Sequence, residues 1–543
     1  MARISLIRPS YSSYIYEKTY KIDRDDVMEY MPPLGLLSIA GYLMDGGHKA
    51  EIIDGEREHL DAESTVEMAL KSNPDIVGIT STSPEYPFAR DIIRRVKERC
   101  PATTTVFGGA HITALPQHTI DDLAPFVDYG VIWEGEKPMR ALADGDVLDR
   151  FVWDLRFPRL LKAPQRLTGG ELDSFFPDRN AVRMKGYQLV DPSVGLVQAD
   201  GLQTARGCPF GCNFCTSRQT RLACRSIERV IEEILNCVER HGARMFIFYD
   251  DTLTIEKDRI MALCDGIIHL KRKGRIPEAV GFYCLTRAST ICDIALLVRM
   301  KEAGFNRITM GIESGNSDIM KAMKKGCTLD DYRTAYAMFE ELGITKRGSF
   351  IIGHPFESEE TIRDSIDFAL ELNLDEVGVN ILTPYPGQEV YRDAHAGRGL
   401  WLSHPAHYPE LHQAMDWHAY WSLHRRWGAA LVETATLSSA ALEYWHARFL
   451  QEVYGAPQMA KRRERQLLMG NTDPFWHRPW ITHAKRNAER LAAERGAGMP
   501  AFPKPLHHEY TYRPIWLEDV HKSEHQKAEP QWSAEGRSEQ VAT

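Results

Sequence analysis

The chain has 543 residues, more than one ordinary domain holds, and this length predicts roughly two to four domains. Its 43% hydrophobic and 26% charged residues are typical of a soluble globular protein, and no long apolar run predicts a membrane span. The formal net charge of −9 argues against a nucleic-acid partner, because no basic stripe is available to contact phosphates.

The N-terminal sequence MARISLIRPS lacks the long apolar core of a secretory signal. Apart from one cluster, the cysteines are isolated along the chain, so no disulfide framework is expected. We therefore expect a cytoplasmic protein.

Strands and helices alternate over residues 1–144, a pattern that predicts a doubly wound, Rossmann-like parallel sheet. Ligands bind such sheets beyond the carboxyl ends of the strands. Small and polar residues stand at the predicted strand ends, namely Asp54 and Gly55, Thr80 to Ser83, Gly108 and Gly109 followed by His111, and Glu134-Gly135-Glu136.

Residues 145–197 are rich in Pro and Gly and are expected to form a linker. A second alternation of strands and helices covers residues 198–400. It predicts a partial or complete (β/α) barrel of the TIM type, with the functional residues at the C-terminal ends of the strands.

The pattern changes beyond residue 400. Residues 401–510 are expected to be mainly helical, and the polar stretch 511–543 is expected to be disordered. We interpret a crowd of aromatic and histidine residues at the start of this region as the core of a helical cap, without a catalytic role. Its members are Trp401, His404, His407, Tyr408, Trp417, His418, Tyr420 and Trp421.

Cys208, Cys212 and Cys215 form a C-x3-C-x2-C motif after the first strand of the second series. A structural zinc site would need a fourth ligand, and no second pair of Cys or His follows nearby. Three ordinary core cysteines would not need the flanking Gly207 and Gly211, whereas glycines suit a tight loop around a bulky group. Three thiolates on a four-iron, four-sulfur cluster leave one iron open to another ligand. The motif therefore favours an iron–sulfur cluster over zinc.

The motif and its place after the first barrel strand resemble the signature of the radical S-adenosylmethionine (SAM) superfamily. The resemblance implies that SAM binds the open iron through its amino and carboxylate groups. The reduced cluster would then cleave SAM to a 5′-deoxyadenosyl radical, with its electron supplied by an external donor of the flavodoxin or ferredoxin type.

The same resemblance implies SAM contacts for six further residues. They are Phe214 near the adenine, Asp250 and Asp251 at the amino group, Arg287 at the carboxylate, Glu313 at the methionyl or ribose part, and Gly353 in a late turn near the adenine. Each later motif taken alone is equally typical of an ordinary β/α turn. One departure stands out, because the common Gly-Gly-Glu at the second strand is absent and the two aspartates must substitute for it.

The first region resembles the cobalamin-binding domain of cobalamin-dependent radical SAM enzymes. Glycines and small polar residues at strand ends would let a flat corrin approach the backbone. A flavodoxin-like domain with another ligand, or with none, is the alternative. The residues that the resemblance implies for cobalamin are Asp54, Thr80, Ser81, Thr82, Gly108, Gly109, His111, Glu134 and Gly135.

A second departure concerns the cobalt itself. Many cobalamin domains carry Asp-x-His-x-x-Gly, whose histidine binds cobalt, but here His59 follows Asp54 by five residues and the glycine is missing. The other candidate, His111, follows the Gly-Gly turn, and a lone histidine is more often a polar anchor than a ligand. We therefore expect cobalt without a histidine ligand from the protein.

The leading functional hypothesis is a methyltransferase that acts on an unactivated carbon of a small secondary metabolite, lipid or tetrapyrrole. One SAM would methylate cobalamin and a second would give the radical. The enzymatic alternative is an oxidative cyclase or rearrangement enzyme of the anaerobic magnesium-protoporphyrin monomethyl ester cyclase type. A non-catalytic cobalamin sensor would not need the three cysteines, and a methylthiotransferase would need further cluster cysteines near the N-terminus.

Overall fold

A computed structural model of the chain describes residues 1–10, 30–191, 195–385, 387–403 and 428–459. Two seven-stranded sheets follow one another along these residues. Of the aromatic and histidine residues expected in a helical cap, Trp401 is described and the other seven lie outside the described residues, as does the tail 511–543. Within the described ranges, no helix combines the length and the apolar character needed to cross a bilayer.

The first sheet has the strand order β2-β1-β3-β4-β5-β7-β6. Every pairing in it is parallel except that of β6 with β7. An order of 2-1-3-4-5 is that of a doubly wound sheet whose switch point lies between β1 and β3, which confirms the predicted Rossmann-like architecture. The strands are β1 (Arg3–Arg8), β2 (Lys49–Asp54), β3 (Ile76–Thr80), β4 (Thr104–Gly108), β5 (Tyr129–Val131), β6 (Val152–Asp154) and β7 (Phe157–Leu161).

Helices cover both faces of this sheet, so its central strands are continuous apolar runs rather than alternating ones. Ile7, Ile79 and Phe107 pack into one cluster on one face, while Leu6 and Val106 pack into a second cluster. The helices are α1 (Leu34–Asp45), α2 (Ala62–Leu70), α3 (Tyr86–Arg99), α4 (Ala110–Ala114), α5 (Pro116–Leu123) and α6 (Glu136–Asp144).

The segment expected as a linker, 145–197, contributes to both sheets. Strands β6 and β7 extend the first sheet, and α7 (Gly169–Asp173) and β8 (Gln188–Asp191) follow them. Arg179 of this segment is buried and binds Asp200 at 3.1 Å and Glu233 at 2.5 Å. Since a buried charge persists only when it is paired, this ion-pair group fixes the segment against the second domain.

The second sheet has the order β16-β15-β14-β13-β12-β9-β8. The six strands from β9 to β16 are parallel, and β8 runs antiparallel to β9. Among the described residues β9 and β16 do not pair, so the predicted barrel is an open half-barrel. Its strands are β8, β9 (Gly195–Leu202), β12 (Met245–Phe248), β13 (Gly281–Thr286), β14 (Phe305–Glu313), β15 (Thr345–Ile352) and β16 (Glu376–Ile381), while β10 (Ala205–Arg206) and β11 (Ala223–Cys224) form a separate pair.

Stacked aromatic rings fill the space between these strands and the outer helices. Phe246, Phe282, Phe305 and Phe248 stack with centroid separations of 5.3 to 5.8 Å. The outer helices are α8 (Ile227–His241), α9 (Lys257–Arg272), α10 (Ile294–Ala303), α11 (Ser317–Ala322), α12 (Leu329–Leu342), α13 (Glu359–Glu371) and α14 (Glu389–Ala396).

The described C-terminal residues complete this core. Strands β17 (Leu400–Leu402) and β18 (Val432–Thr434) form an antiparallel pair, and α15 (Ser439–Gly455) packs behind β15 and β16. The Phe449 ring lies 5.0 Å from that of Phe350, and the Tyr454 hydroxyl donates to the Val377 carbonyl at 2.7 Å. The helix thus covers the outer face of the last two strands of the half-barrel.

Candidate active site

The three-cysteine loop, residues 207–222, is closed at its base by the pairing of β10 with β11. Gly207 has φ 106°, and a Cβ there would lie 2.3 Å from the Arg221 carbonyl oxygen, so only glycine fits this turn. Two hydrogen bonds join Cys208 and Thr220. The Thr220 N–H donates to the Cys208 carbonyl, and the Cys208 N–H donates to the Thr220 hydroxyl, both at 2.8 Å. The loop is therefore a built structure and not a loose connection.

The cysteines stand in surroundings that disfavour free thiolates. Burial, together with the Asp251 carboxylate, raises the pKa of Cys208 and of Cys215. Positively charged iron reverses that preference, since a coordinated thiol is deprotonated. In the described part of the chain no three ligating side chains converge on a single ion position. A cubane cluster takes one thiolate on each of three irons, so this spread of thiols is compatible with it.

Asp250 and Asp251 have different surroundings. Both Asp250 oxygens are occupied, by the Thr204 hydroxyl at 2.6 Å, the Thr204 N–H at 2.9 Å and the Ala205 N–H at 2.8 Å. Burial raises the pKa of Asp250 to about 6. Asp251 is exposed and acts electrostatically on Cys208. Asp250 thus anchors the chain that enters the cysteine loop, and Asp251 is the aspartate that faces it.

Arg287, predicted to pair with the SAM carboxylate, lies against the cysteine loop. Its guanidinium carbon is 3.6 Å from the centroid of the Phe210 ring, a cation–π contact. Its Nε donates to the Ser289 hydroxyl at 3.0 Å, and its Nη2 donates to the Lys325 carbonyl and approaches Cys327 Sγ at 3.5 Å. With Nε and Nη2 engaged, the guanidinium is held in one orientation beside the loop.

Glu313 ends β14 in a strained backbone conformation, with φ 70°. Its carboxylate accepts from Lys325 Nζ at 2.8 Å, and both side chains are buried. A non-glycine residue in this region costs free energy and is concentrated at functional sites. Lys325, which the sequence did not single out, therefore links the predicted SAM residue Glu313 to the backbone segment that holds Arg287.

Phe214 belongs to the cysteine loop itself, and Gly353 immediately precedes His354, whose Nε2 lies 3.3 Å from Asn213 Nδ2 of that loop. The Phe214 ring packs against the cluster of Leu382, Val390 and Val432. Gly353 has φ 93° and follows β15, and its N–H donates to Glu357 Oε2 at 2.5 Å. The structure thus gathers all six predicted SAM residues around the cysteine loop or its entrance.

A cavity of about 590 Å³ lies between the two sheets. Six of the nine predicted cobalamin residues line it, and these are Thr80, Thr82, Gly108, Gly109, Glu134 and Gly135. The second domain contributes Gln203, Ala205, Arg206, Arg225 and Tyr249. The cavity therefore runs from the strand ends of the first sheet to the entrance of the cysteine loop.

The other three predicted cobalamin residues do not line this cavity. The Asp54 carboxylate is buried and bonded to the Tyr187 hydroxyl at 2.6 Å. Ser81 is buried, and its hydroxyl donates a hydrogen bond to the Thr82 carbonyl. His111 belongs to the core of the first domain, where its ring stacks on that of Tyr86 at 4.0 Å.

The glycine walls fit a flat ring system. Gly108 leaves its strand end without a side chain, and a Cβ built there would stand in ordinary van der Waals contact with the Val131 carbonyl oxygen, 3.8 Å away. Gly109 has φ 100° and could not carry a side chain, because a Cβ would lie 2.6 Å from the Ser81 backbone. The backbone at these strand ends is therefore open to close approach, as a corrin requires.

One contact between the domains was missed from the sequence. Arg206, two residues before Cys208, reaches into the first domain, where its Nη2 donates to Glu136 Oε1 at 2.7 Å and to the Ser38 hydroxyl at 3.0 Å. Its Nη1 lies 3.4 Å from Glu134 Oε1. The sequence did contain one indication of this contact, because Glu136 at the end of Glu134-Gly135-Glu136 is an acidic residue to which no role was assigned.

Comparison with known proteins agrees with this geometry. The B12 binding domain model matches residues 20–143, and the Radical SAM superfamily model matches residues 202–369. Uncharacterized methyltransferase PH0819 of Pyrococcus horikoshii is 31% identical over 379 residues, which are 68% of this chain and 80% of that protein. The chain belongs to the cobalamin-dependent radical SAM family. It is therefore a radical SAM enzyme, and the cofactors of this family are cobalamin, a [4Fe-4S] cluster and SAM.

Other relatives within the family carry a different name. The anaerobic magnesium-protoporphyrin IX monomethyl ester cyclase of Rubrivivax gelatinosus is 26% identical over 407 residues, which are 72% of this chain and 70% of the cyclase. The solved structure of TsrM from Kitasatospora setae, a radical SAM methyltransferase, superposes with a TM-score of 0.62 at 16% identity and covers 91% of this chain and 100% of TsrM. That likeness shows a shared fold.

We predict that bound cob(II)alamin will have no axial nitrogen from the protein. His111 is packed in the core, and no histidine of the described residues lines the cavity. Electron paramagnetic resonance of the cob(II)alamin complex is expected to lack nitrogen superhyperfine splitting, and His59→Ala is expected to leave the spectrum unchanged. A nitrogen triplet that disappears in His59→Ala or His111→Gln would contradict this prediction.

Proposed function

We propose that this radical SAM enzyme methylates an unactivated carbon of a small-molecule substrate. The observation that carries the proposal is the cavity shared by the two domains, which places the strand ends at Thr80 and Gly108 on the same space as Ala205 and Arg206. Those two residues lead directly into Cys208. A methyl donor in the first domain and a radical source in the second would thus share one reaction space.

Each domain would contribute defined contacts. Cys208, Cys212 and Cys215 would bind three irons of the cluster, Arg287 would pair with the SAM carboxylate, and Asp251 would accept from its amino group. When bound, these groups and cobalamin supply a hydrogen-abstracting radical and a transferable methyl group. The protein residues would hold the substrate next to the two cofactors in a reacting geometry, and such positioning lowers the activation barrier.

The names of relatives support methyl transfer. PH0819 is named a methyltransferase, and cytidylyl-2-hydroxyethylphosphonate methyltransferase of Streptomyces wedmorensis is 25% identical over 430 residues. We propose a small molecule of the secondary-metabolite, lipid or tetrapyrrole class as the substrate. A flavodoxin or ferredoxin would supply the single electron that SAM cleavage consumes.

Oxidative cyclisation is the second candidate, because the Rubrivivax gelatinosus cyclase matches 72% of this chain. It would use the same cluster, SAM and cobalamin residues. The two functions differ in what becomes of the methyl group of SAM, and this difference provides the test.

We predict that each turnover will consume two molecules of SAM. Polar displacement can methylate cobalamin, but only a radical can remove hydrogen from an unactivated carbon. With cobalamin, a low-potential reductant, methyl-labelled SAM and a panel of candidate substrates, mass spectrometry is expected to show labelled product with equal amounts of S-adenosylhomocysteine and 5′-deoxyadenosine. Product formed with 5′-deoxyadenosine but without S-adenosylhomocysteine or label would overturn methyl transfer in favour of the cyclase reaction.

A further inference from the structure

Asn213 lies inside the cysteine motif, between Cys212 and Cys215, and the proposed function gives it no role. Its side chain is 5% exposed. Its backbone N–H donates to the Met323 carbonyl at 3.1 Å, and its backbone carbonyl accepts from the Glu389 N–H at 3.0 Å. The middle of the Cys212–Cys215 turn is thus bonded both to the end of α11 and to the start of α14.

The Asn213 side chain adds two more attachments. Its Nδ2 donates to the Ala322 carbonyl at 3.0 Å and lies 3.3 Å from His354 Nε2. The Ala322 carbonyl fixes the orientation of the amide, because an amide turned the other way would set two oxygens against each other. The second N–H of the amide therefore meets His354 Nε2, which must act as an acceptor.

His354 is suited to that acceptor role. It is 1% exposed, and burial lowers its pKa to about 4, so the ring is neutral at neutral pH and keeps one ring nitrogen free to accept a hydrogen bond. It directly follows Gly353, the residue predicted near the SAM adenine. The side chain of His354 therefore connects the turn after β15 to the turn between two of the cysteines.

We propose that Asn213 and His354 form a positioning pair that fixes the Cys212–Cys215 turn and joins it to the Gly353 turn. The pair would thereby hold the cluster and SAM at a fixed distance and orientation from each other. This inference rests on the proposed assignment of the three cysteines as cluster ligands. Asn213 is a positioning residue and not a catalytic one, since it acts through the cysteine loop. Removing its amide takes away the bonds to the Ala322 carbonyl and His354 Nε2, so that the backbone bonds to Met323 and Glu389 hold the turn without help from the side chain.

The test uses the reconstituted full-length protein and follows SAM binding without turnover. SAM alters the electron paramagnetic resonance spectrum of a reduced cluster that it ligates, so the spectrum can be titrated with SAM. Asn213→Ala and His354→Ala are expected to keep four irons per chain but to need about tenfold more SAM, since each removes a contact that positions the site. The midpoint potential of the cluster should shift in both variants.

Three comparisons make the result specific. His354→Gln, whose side-chain oxygen can accept the same hydrogen bond, is expected to titrate close to the natural protein. The Asn213→Ala, His354→Ala double variant should bind SAM no more weakly than Asn213→Ala alone, because Asn213→Ala has already lost the contact with His354. Asn306→Ala, which removes an exposed amide at the opposite end of the half-barrel, should titrate as the natural protein does.

Unchanged SAM titration and potential in both single variants would overturn the proposal, as would His354→Gln behaving like His354→Ala. If Asn213→Ala loses the cluster outright, His354→Ala decides, because its side chain contacts no cysteine of the motif through any hydrogen bond of the described residues. Failure of the proposed function would look different, since the natural protein itself would then bind no four-iron cluster or give no response to SAM.

Discussion

Replacing Cys208, Cys212 and Cys215 together with alanine is expected to abolish both the four-iron cluster and all reductive cleavage of SAM. The loop that carries them is closed at its base by β10 and β11, so the three thiols are presented together by one built turn. No other site of three ligating residues exists among the described residues to replace them. Iron and sulfide content, visible absorbance and 5′-deoxyadenosine formation in anaerobically reconstituted protein measure the effect.

Cys100→Ala serves as the matched control, because Cys100 lies at the end of α3 in the first domain. It is expected to retain a full cluster and full SAM cleavage. Cobalamin binding by the triple variant should persist, since the cavity lining in the first domain is untouched, and this binding reports that the variant has folded. A triple variant with about four irons per chain would refute the assignment of these cysteines as ligands.

The two sheets could be predicted because each central strand is a short apolar run with a helix on either side of it in sequence. IVGIT at β3 is buried on both faces, as parallel strands between helices must be. The extent of each sheet could not be read in the same way. Strands β6 and β7 are short and contain Pro158, and their place in the first sheet depends on pairing with β5, which is a tertiary contact.

Residues of the candidate site could be predicted where their spacing along the sequence indicates the chemistry. They were harder to predict where the direction of the side chain decides the role. The cysteines needed only their spacing and the glycines around them. Asp250 and Asp251 are adjacent in sequence. Only the fold shows that the Asp250 carboxylate accepts hydrogen bonds from Thr204 and Ala205, while Asp251 faces the loop. His111 was predicted as a cobalamin-binding residue at a strand end, but its ring lies in the core, stacked on that of Tyr86.

Contacts between distant segments left the weakest trace in the sequence. Arg206 and Glu136 are 70 residues apart and meet only because the cysteine loop of the second domain reaches the α6 start in the first. Lys325 pairs with Glu313 in a similar way, across a helix and a turn. Such pairs have no local period or spacing, so only the folded chain shows them, within a domain for Lys325 and between the domains for Arg206.

Arg206→Met is expected to produce the largest loss of stability among single substitutions between the two domains. Its guanidinium is the basic partner of Glu136, whose side chain is 4% exposed. Breaking a buried pair from one side leaves an uncompensated charge and costs about 3–5 kcal/mol. Urea unfolding should show this loss, and cobalamin titration should show weaker binding because Arg206 also lines the cavity. Arg150→Met, which breaks an exposed pair with Asp146, should change neither.

The pH dependence follows from the sign of the Glu136 shift. Burial alone would raise the pKa of Glu136, but the Arg206 guanidinium and the Ser38 hydroxyl outweigh burial and hold that pKa below its ordinary value. The pair therefore contributes its full stability above the unfolded pKa of about 4.3 and loses it as pH falls through the lower folded value. The difference in unfolding free energy between the natural protein and Arg206→Met should be largest at neutral pH and shrink on acidification. It shrinks first as the buried, unpaired Glu136 of the variant takes up a proton above the ordinary glutamate pKa, and further as the natural pair is protonated below it. Adding Glu136→Gln to Arg206→Met should restore much of the loss at neutral pH, because the unpaired carboxylate is then removed, and a double variant no more stable than Arg206→Met would rule out Glu136 as the source of the effect.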